Sequence, residues 1–297
     1  MSYDLLVVGR PGSTVARSLE YFRSRPHYTV SDVQAVYENP DTGVYFVFEL
    51  PEPADSDPEA DVPRGTWLAL ILNLYRPSVF VLEATRELLA LTVATESDVY
   101  DPQADEPAVG PFHPDEIVAR WNDANRRGHE AILQPRDGQE LPAPPRTLPG
   151  EKLRAVWEWN HGRAAWNAEL GEDVFVPRIF LFDGGVSVQT GVVWSDATPA
   201  LLPRVDRVLV YRDALRPRSW LGRTKEPDLC EISWTELSPY LREPVEGVRS
   251  LAYYDLRQPP HPAALQRLIT KLGPLSAPPQ SLALDQVHDA ELLTPAG

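Results

Sequence analysis

Gly9-Arg10-Pro11-Gly12-Ser13-Thr14 follows the apolar run Leu5-Leu6-Val7-Val8 and precedes a segment with helical spacing. Strand, glycine-rich loop, helix is the order in which nucleotide-binding proteins cradle phosphate. That chemistry needs several free backbone N–H groups, a lysine reaching the outer phosphates and a hydroxyl on magnesium. Here the loop has no lysine and its two glycines stand only three positions apart. Pro11 lacks an N–H where donors are wanted. The three-glycine dinucleotide fingerprint is missing as well. The stretch therefore predicts a strand-to-helix turn capped by Gly12 or Ser13.

Other reactive residue types are equally unassembled in the sequence. The six histidines are His27, His113, His129, His161, His261 and His288, and no two stand at the i, i+4 spacing that grips one metal ion from a helix face. His129-Glu130 lacks the second histidine of a zinc-protease motif. No G-x-S-x-G elbow occurs. Cys230 lies in Asp-Leu-Cys-Glu-Ile-Ser-Trp with no basic neighbour to lower its pKa, and reads as a buried, inert thiol. Asp183 reads as part of a hairpin turn. No catalytic residue, metal site or cofactor is expected.

Two stretches carry sharper readings. In "RAVWEWNHGRAAWNAELG", a period of 100° per residue puts Leu153, Trp157, His161 and Ala164 on one face and Ala155, Trp159, Gly162 and Trp166 on the other. Such a helix packs on both sides, and the expectation is that it wedges between two domains. Asn160 lies near the first face, and Asn125 lies within the apolar stripe of the preceding helix. A buried asparagine must find hydrogen bonds. Either these two bridge structural elements, or Trp121, Asn125, Trp157, Asn160 and His161 line a ligand pocket with His161 as its titratable group. The second stretch, residues 51–64, is rich in proline and acid. Glu52, Asp55, Asp57, Glu59 and Asp61 either solvate a connector or face arginine and lysine on a partner.

Composition narrows the classes. The 297 residues carry 43 acidic and 28 basic side chains, a net charge of −15. A phosphate backbone is repelled by such a surface, so nucleic acid is not an expected partner. No run of about 18 apolar residues is present, so no membrane span is expected. One cysteine excludes an internal disulfide, and the N-terminus does not read as a signal peptide. These points predict a cytoplasmic protein.

The elements that must position these residues follow from periodicity. Residues 3–8 read as a strand, 13–24 as a helix with Val15, Leu19 and Phe22 inward, and 33–37 and 44–50 as a hairpin around Asn39-Pro40-Asp41-Thr42-Gly43. Leu68, Leu70, Leu72 and Leu74 alternate in a further strand. A helix follows to Ala94, with Val81, Leu82, Thr85, Leu88 and Leu89 inward and Glu83, Arg86 and Glu87 outward. A short strand near 97–102 closes the unit. The order predicts a ferredoxin-like (split βαβ) plan with one extra strand. Helices are expected from Pro114 to Ile132 and from Glu151 to Leu170, with Gly171 as a C-cap. Strands then fall at "VFVPRIFLF", "VSVQTGVVW", "RVDRVLVYR", "CEISW" and "VRSLAYYDL", with short helices near 234–242 and 262–272 and a tail after Pro274 that lies over the surface or is loose. The expected architecture is α+β: an N-terminal domain at 1–105, a helical connector at 106–170 and a second α+β domain at 171–297.

The stretch "YFRSRPHYTV…VYENPDTGVYFVFEL" resembles the start of a family of uncharacterised bacterial proteins, over the first third of the chain. The resemblance implies a bacterial setting, in which acidic cytoplasmic proteins neutralise toxins, and carries no activity or site. The expected function is a non-catalytic acidic binding protein with a protein partner, such as an immunity-type inhibitor of a basic toxin. The alternative is an enzyme or small-molecule binder with the Trp/Asn/His site at the domain junction.

Overall fold

The computed structural model describes residues 1–51, 62–133, 145–185, 187–216, 226–245 and 251–293. Contacts divide the chain into two compact units, Met1–Pro145 with Leu284–Gly297, and Arg146–Ala283. This differs from the expected boundaries at 105 and 170. The two long helices are not a separate connector: one belongs to each unit, and the chain's last segment returns to the first.

The first unit is a seven-stranded sheet. Its strands are β1 (Ser2–Gly9), β2 (Tyr28–Val30), β3 (Gln34–Glu38), β4 (Tyr45–Glu49), β5 (Thr66–Asn73), β6 (Ser97–Tyr100) and β7 (Val109–Gly110), in the order β2-β3-β4-β5-β1-β6-β7. The predicted hairpin is present, with Gln34 opposite Glu49 and Glu38 opposite Tyr45. β5 and β6 both pair antiparallel with β1 and flank it. They are joined by helix α2 (Val79–Ala94), so the crossover straddles a strand. β2 and β7 are additional to the strands expected. Alternation decides the core: Leu68, Leu70 and Leu72 on β5, Phe46 and Phe48 on β4 and Leu5 and Val7 on β1 are buried.

Two expectations fail in this unit. The helix predicted at 13–24 is reduced to α1 (Glu20–Arg23). Ser13 Oγ accepts from the Val15 amide and Ser18 Oγ from the Glu20 amide. Such local bonds offer the backbone an alternative to the helix. On α2, Glu83 points inward and is 1% exposed, whereas Leu89 faces solvent. Helix α3 (Pro114–Leu133) packs on α2 and completes the layer.

The second unit opens with β8 (Arg146–Leu148) and helix α4 (Gly150–Leu170). Gly171 ends α4 at φ 77°, with its N–H donating to the Asn167 carbonyl, as predicted of a glycine C-cap. The Asp183-Gly184-Gly185 turn joins β9 (Ile179–Asp183) to β10 (Val188–Ser195). β11 (Leu201–Pro203) leads to β12 (Arg207–Arg212), which lies parallel to β10 and antiparallel to β13 (Asp228–Ile232). After α5 (Trp234–Leu237), β14 (Tyr253–Asp255) pairs with β11 in a separate two-stranded sheet. Then come α6 (Pro262–Lys271) and β15 (Ser281–Leu282), an edge strand on β9. The tail expected to lie over the surface or to be loose is therefore built in as far as Leu293. From Leu284 it re-enters the first unit as β16 (Val287–Asp289) and α7 (Ala290–Leu293), with Leu284, Val287 and Leu292 buried and α7 against α3.

Candidate functional site

Between the end of β6, the turn after it, β7 and the first turns of α3 lies a pocket of about 230 Å³. Asp101, Glu106, His113, Glu116 and Arg120 line it, with Val99, Phe112 and Ile117 as apolar wall. Each part has a local cause. Pro114 starts the helix without wasting an N–H. Asp115 and Glu116 stand in its first turn, where carboxylates suit the helix dipole. Glu116 and Arg120 pair across one turn at 3.2 Å.

Asp101 anchors the pocket. It is 6% exposed, and its carboxylate accepts from the Tyr3 hydroxyl at 2.6 Å, from Arg120 at 3.2 Å and from the Gln103 amide at 2.9 Å. Burial, with the Asp101 hydrogen bond and charge added, drives the Tyr3 hydroxyl far above its usual pKa, so it stays a donor. Three carboxylates thus line the pocket with one guanidinium, which pairs with Asp101 and Glu116, and the excess favours a cation. The pocket went unread in the sequence because its acids come from a turn and a helix start. The Pro114 start with Glu116 and Arg120 at i, i+4 was its only local signal.

No protein family, curated protein or solved structure matches the chain.

The second polar centre of the first unit is structural in form. Glu83 Oε1 accepts from Tyr37 at 2.6 Å, Asn39 at 2.7 Å and Thr42 at 3.3 Å, tying α2 to the hairpin turn. One turn on, Glu87 accepts from Arg25 at 2.8 Å and Tyr28 at 3.0 Å. Burial first, and these carboxylates second, raise both tyrosine pKa values well above the ordinary range.

The sequence-predicted residues are divided between the two units. Trp121 and Asn125 belong to the first unit, and Trp157, Asn160 and His161 to the second. Asn125 is fully buried, accepts from the Tyr75 amide at 2.6 Å and donates to the Arg76 carbonyl at 2.7 Å. Asn160 is 3% exposed and holds both the N–H and the C=O of Ile179, at 2.8 and 2.9 Å. Both amides are thus committed to backbone. Trp121 and Trp157 are buried, and His161 is exposed on α4 with its ring 5.5 Å from that of Trp157. Glu52, Asp55, Asp57, Glu59 and Asp61 lie outside the described residues.

The glycine-rich loop turns three of its amides to the protein's own acceptors. Gly9 donates to the Gly65 carbonyl, Arg10 to that of Glu96 and Ser13 to that of Arg10. Cys230 is buried with its thiol on the Val210 carbonyl, and burial raises its pKa. Asp183 accepts from Gly185 N–H and from Arg146, as a turn residue does. Among the described residues no group of three or more His, Cys, Asp or Glu is placed to hold a metal ion, and no helix is long and apolar enough to cross a membrane.

Proposed function

We propose that this protein is a non-catalytic binding protein of the bacterial cytoplasm that takes a basic protein partner, in the manner of an immunity-type inhibitor of a toxin. The observation that carries the reading is the pocket at the start of α3. A lysine or arginine of the partner would lay its methylene stem on Val99, Phe112 and Ile117 and its charge among Asp101, Glu106 and Glu116. The net charge of −15 acts in the same direction by steering a basic partner into encounter and repelling nucleic acid. Glu52, Asp55, Asp57, Glu59 and Asp61 supply a second run of acid for the same partner.

Capture from native bacterial lysate with the intact chain tests this. The expected partner is rich in lysine and arginine, is held at low salt and is released at high salt. Glu106→Gln with Glu116→Gln weakens its binding about tenfold or more, mainly through slower association. Neutralising the five acids between Glu52 and Asp61 weakens it further. If no such protein is retained at low salt, or if both variants hold it as well as the wild type does, the reading is wrong.

A further inference from the structure

His129, near the C-terminal end of α3, meets His288 of β16 edge to face, with ring centroids 4.7 Å apart. The Tyr75 ring covers His129 from a third element, at 5.3 Å. His129 is 5% exposed. Its Nε2, and Nδ1 of His288, are buried with no hydrogen-bond partner among the described residues. A buried polar atom without a partner is costly, and a buried imidazolium without one costs far more.

The pair sits where the C-terminal segment docks. Asp289 fastens that segment to the start of α2 by accepting from the Ser78 amide at 2.7 Å and the Ser78 hydroxyl at 2.6 Å. The charged groups around the histidines do not rescue a proton. Arg76, beside Tyr75, gives its guanidinium to the Tyr45 hydroxyl and the Tyr75 carbonyl and repels a charged His288. Asp285 attracts one, but it already accepts from Tyr45 at 3.0 Å. Asp289 is bound to Ser78, and Glu291 of α7 adds negative charge next to Asp289.

We infer that the His129–His288 contact is a pH-sensitive latch, which holds the segment Leu284–Leu293 on α3 when both rings are neutral and releases it when they take up protons. Burial, then His129 and Arg76, push the His288 pKa down to about 4, and burial lowers that of His129. A released histidine binds its proton near pH 6.5. Docking therefore has its full strength above about pH 6.5 and loses it as the pH falls from there toward about 4. Asp289 opposes this, because burial raises its pKa. Its window opens upward from the ordinary carboxylate value near 4, so it offsets part of the histidines' effect where the two windows overlap. The latch lies at the opposite end of α3 from the acidic pocket and does not depend on it.

Hydrogen exchange in the full-length chain, followed in the peptide covering Leu284–Leu293 and corrected for the intrinsic effect of pH, reads the latch directly. Protection is expected to fall roughly tenfold or more between about pH 7.5 and about pH 5, while the β1–β5 pair stays protected. His129→Phe with His288→Phe removes the titration and flattens the response. Equal wild-type protection at both pH values overturns the inference, as does a folded double variant with an unchanged response. Should the double variant not fold, imidazole NMR of the wild type decides. Two rings that titrate near pH 6.5 with the segment still protected overturn the latch, and rings that stay neutral until the segment opens support it.

Discussion

Asn160 completes both backbone hydrogen bonds of Ile179, so a single side chain closes the gap between α4 and the first residue of β9. Asn160→Ala leaves an N–H and a C=O unpaired in a site from which water is excluded. Each unpaired group costs about 1–3 kcal/mol, so a loss of about 2–6 kcal/mol is expected, read as a fall in urea midpoint at constant slope. A change below about 0.5 kcal/mol would mean that water enters the site and replaces the amide. The requirement for partners was legible in the sequence, because an asparagine on an apolar face must be satisfied. The identity of the partners was not. Ile179 lies 19 residues away, and Glu83 finds Tyr37, Asn39 and Thr42 at separations of 41 to 46 residues. Nothing in the local pattern of α2 marks Glu83 as inward, since a charged residue on a periodic helix reads as a solvent position. The pocket acids were hidden in the same way: Asp101 became a site residue only when β1 brought Tyr3 to it.

At the scale of elements, hairpins and long helices were legible because their signals are local: turn chemistry at Asn39–Gly43 and at Asp183–Gly185, and glycine after Leu170. The helix expected at 13–24 failed because serines at 13 and 18 bond to neighbouring amides, a competition that apolar spacing does not register. Arg212 shows what element-level reading misses. It is fully buried on β12, forms a two-pronged pair with Asp228 of β13 at 2.7 and 2.8 Å, and donates to the Ile269 and Leu272 carbonyls at the end of α6. One guanidinium thereby satisfies a carboxylate and the helix's last carbonyls together. Arg212→Met keeps much of the volume but strands Asp228 and those carbonyls. A loss of about 3–5 kcal/mol is expected. Restoring neutrality with Asp228→Asn in the same chain should recover part of it, and a thermodynamic cycle over the two sites measures the coupling. Purely additive losses would show that Arg212 acts through packing alone.

The whole molecule carries 15 more negative than positive charges, and this excess competes with its ion pairs in setting the response to salt. The pairs are short, as at Arg25–Glu87, 2.8 Å, and Arg207–Glu231, 2.6 Å. The repulsion is long-ranged, spread over acids many ångströms apart on the folded surface. The Debye length is about 30 Å at 0.01 M and about 8 Å at 0.15 M salt. Over that interval the screening length stays above the span of a pair, while repulsion acting over longer distances is screened. Partly buried pairs lose least, and exposed ones contribute only about 0–1 kcal/mol each to begin with. Relief of repulsion should therefore win, and the thermal midpoint should rise between those two salt concentrations at neutral pH. Sodium chloride is the salt to use, because sulfate or phosphate would strengthen apolar burial independently of charge. A midpoint that falls would place the balance with the ion pairs instead. It would also weaken the case for an acid-driven partner surface, since the same unscreened excess is what steers a basic partner toward the pocket at the start of α3.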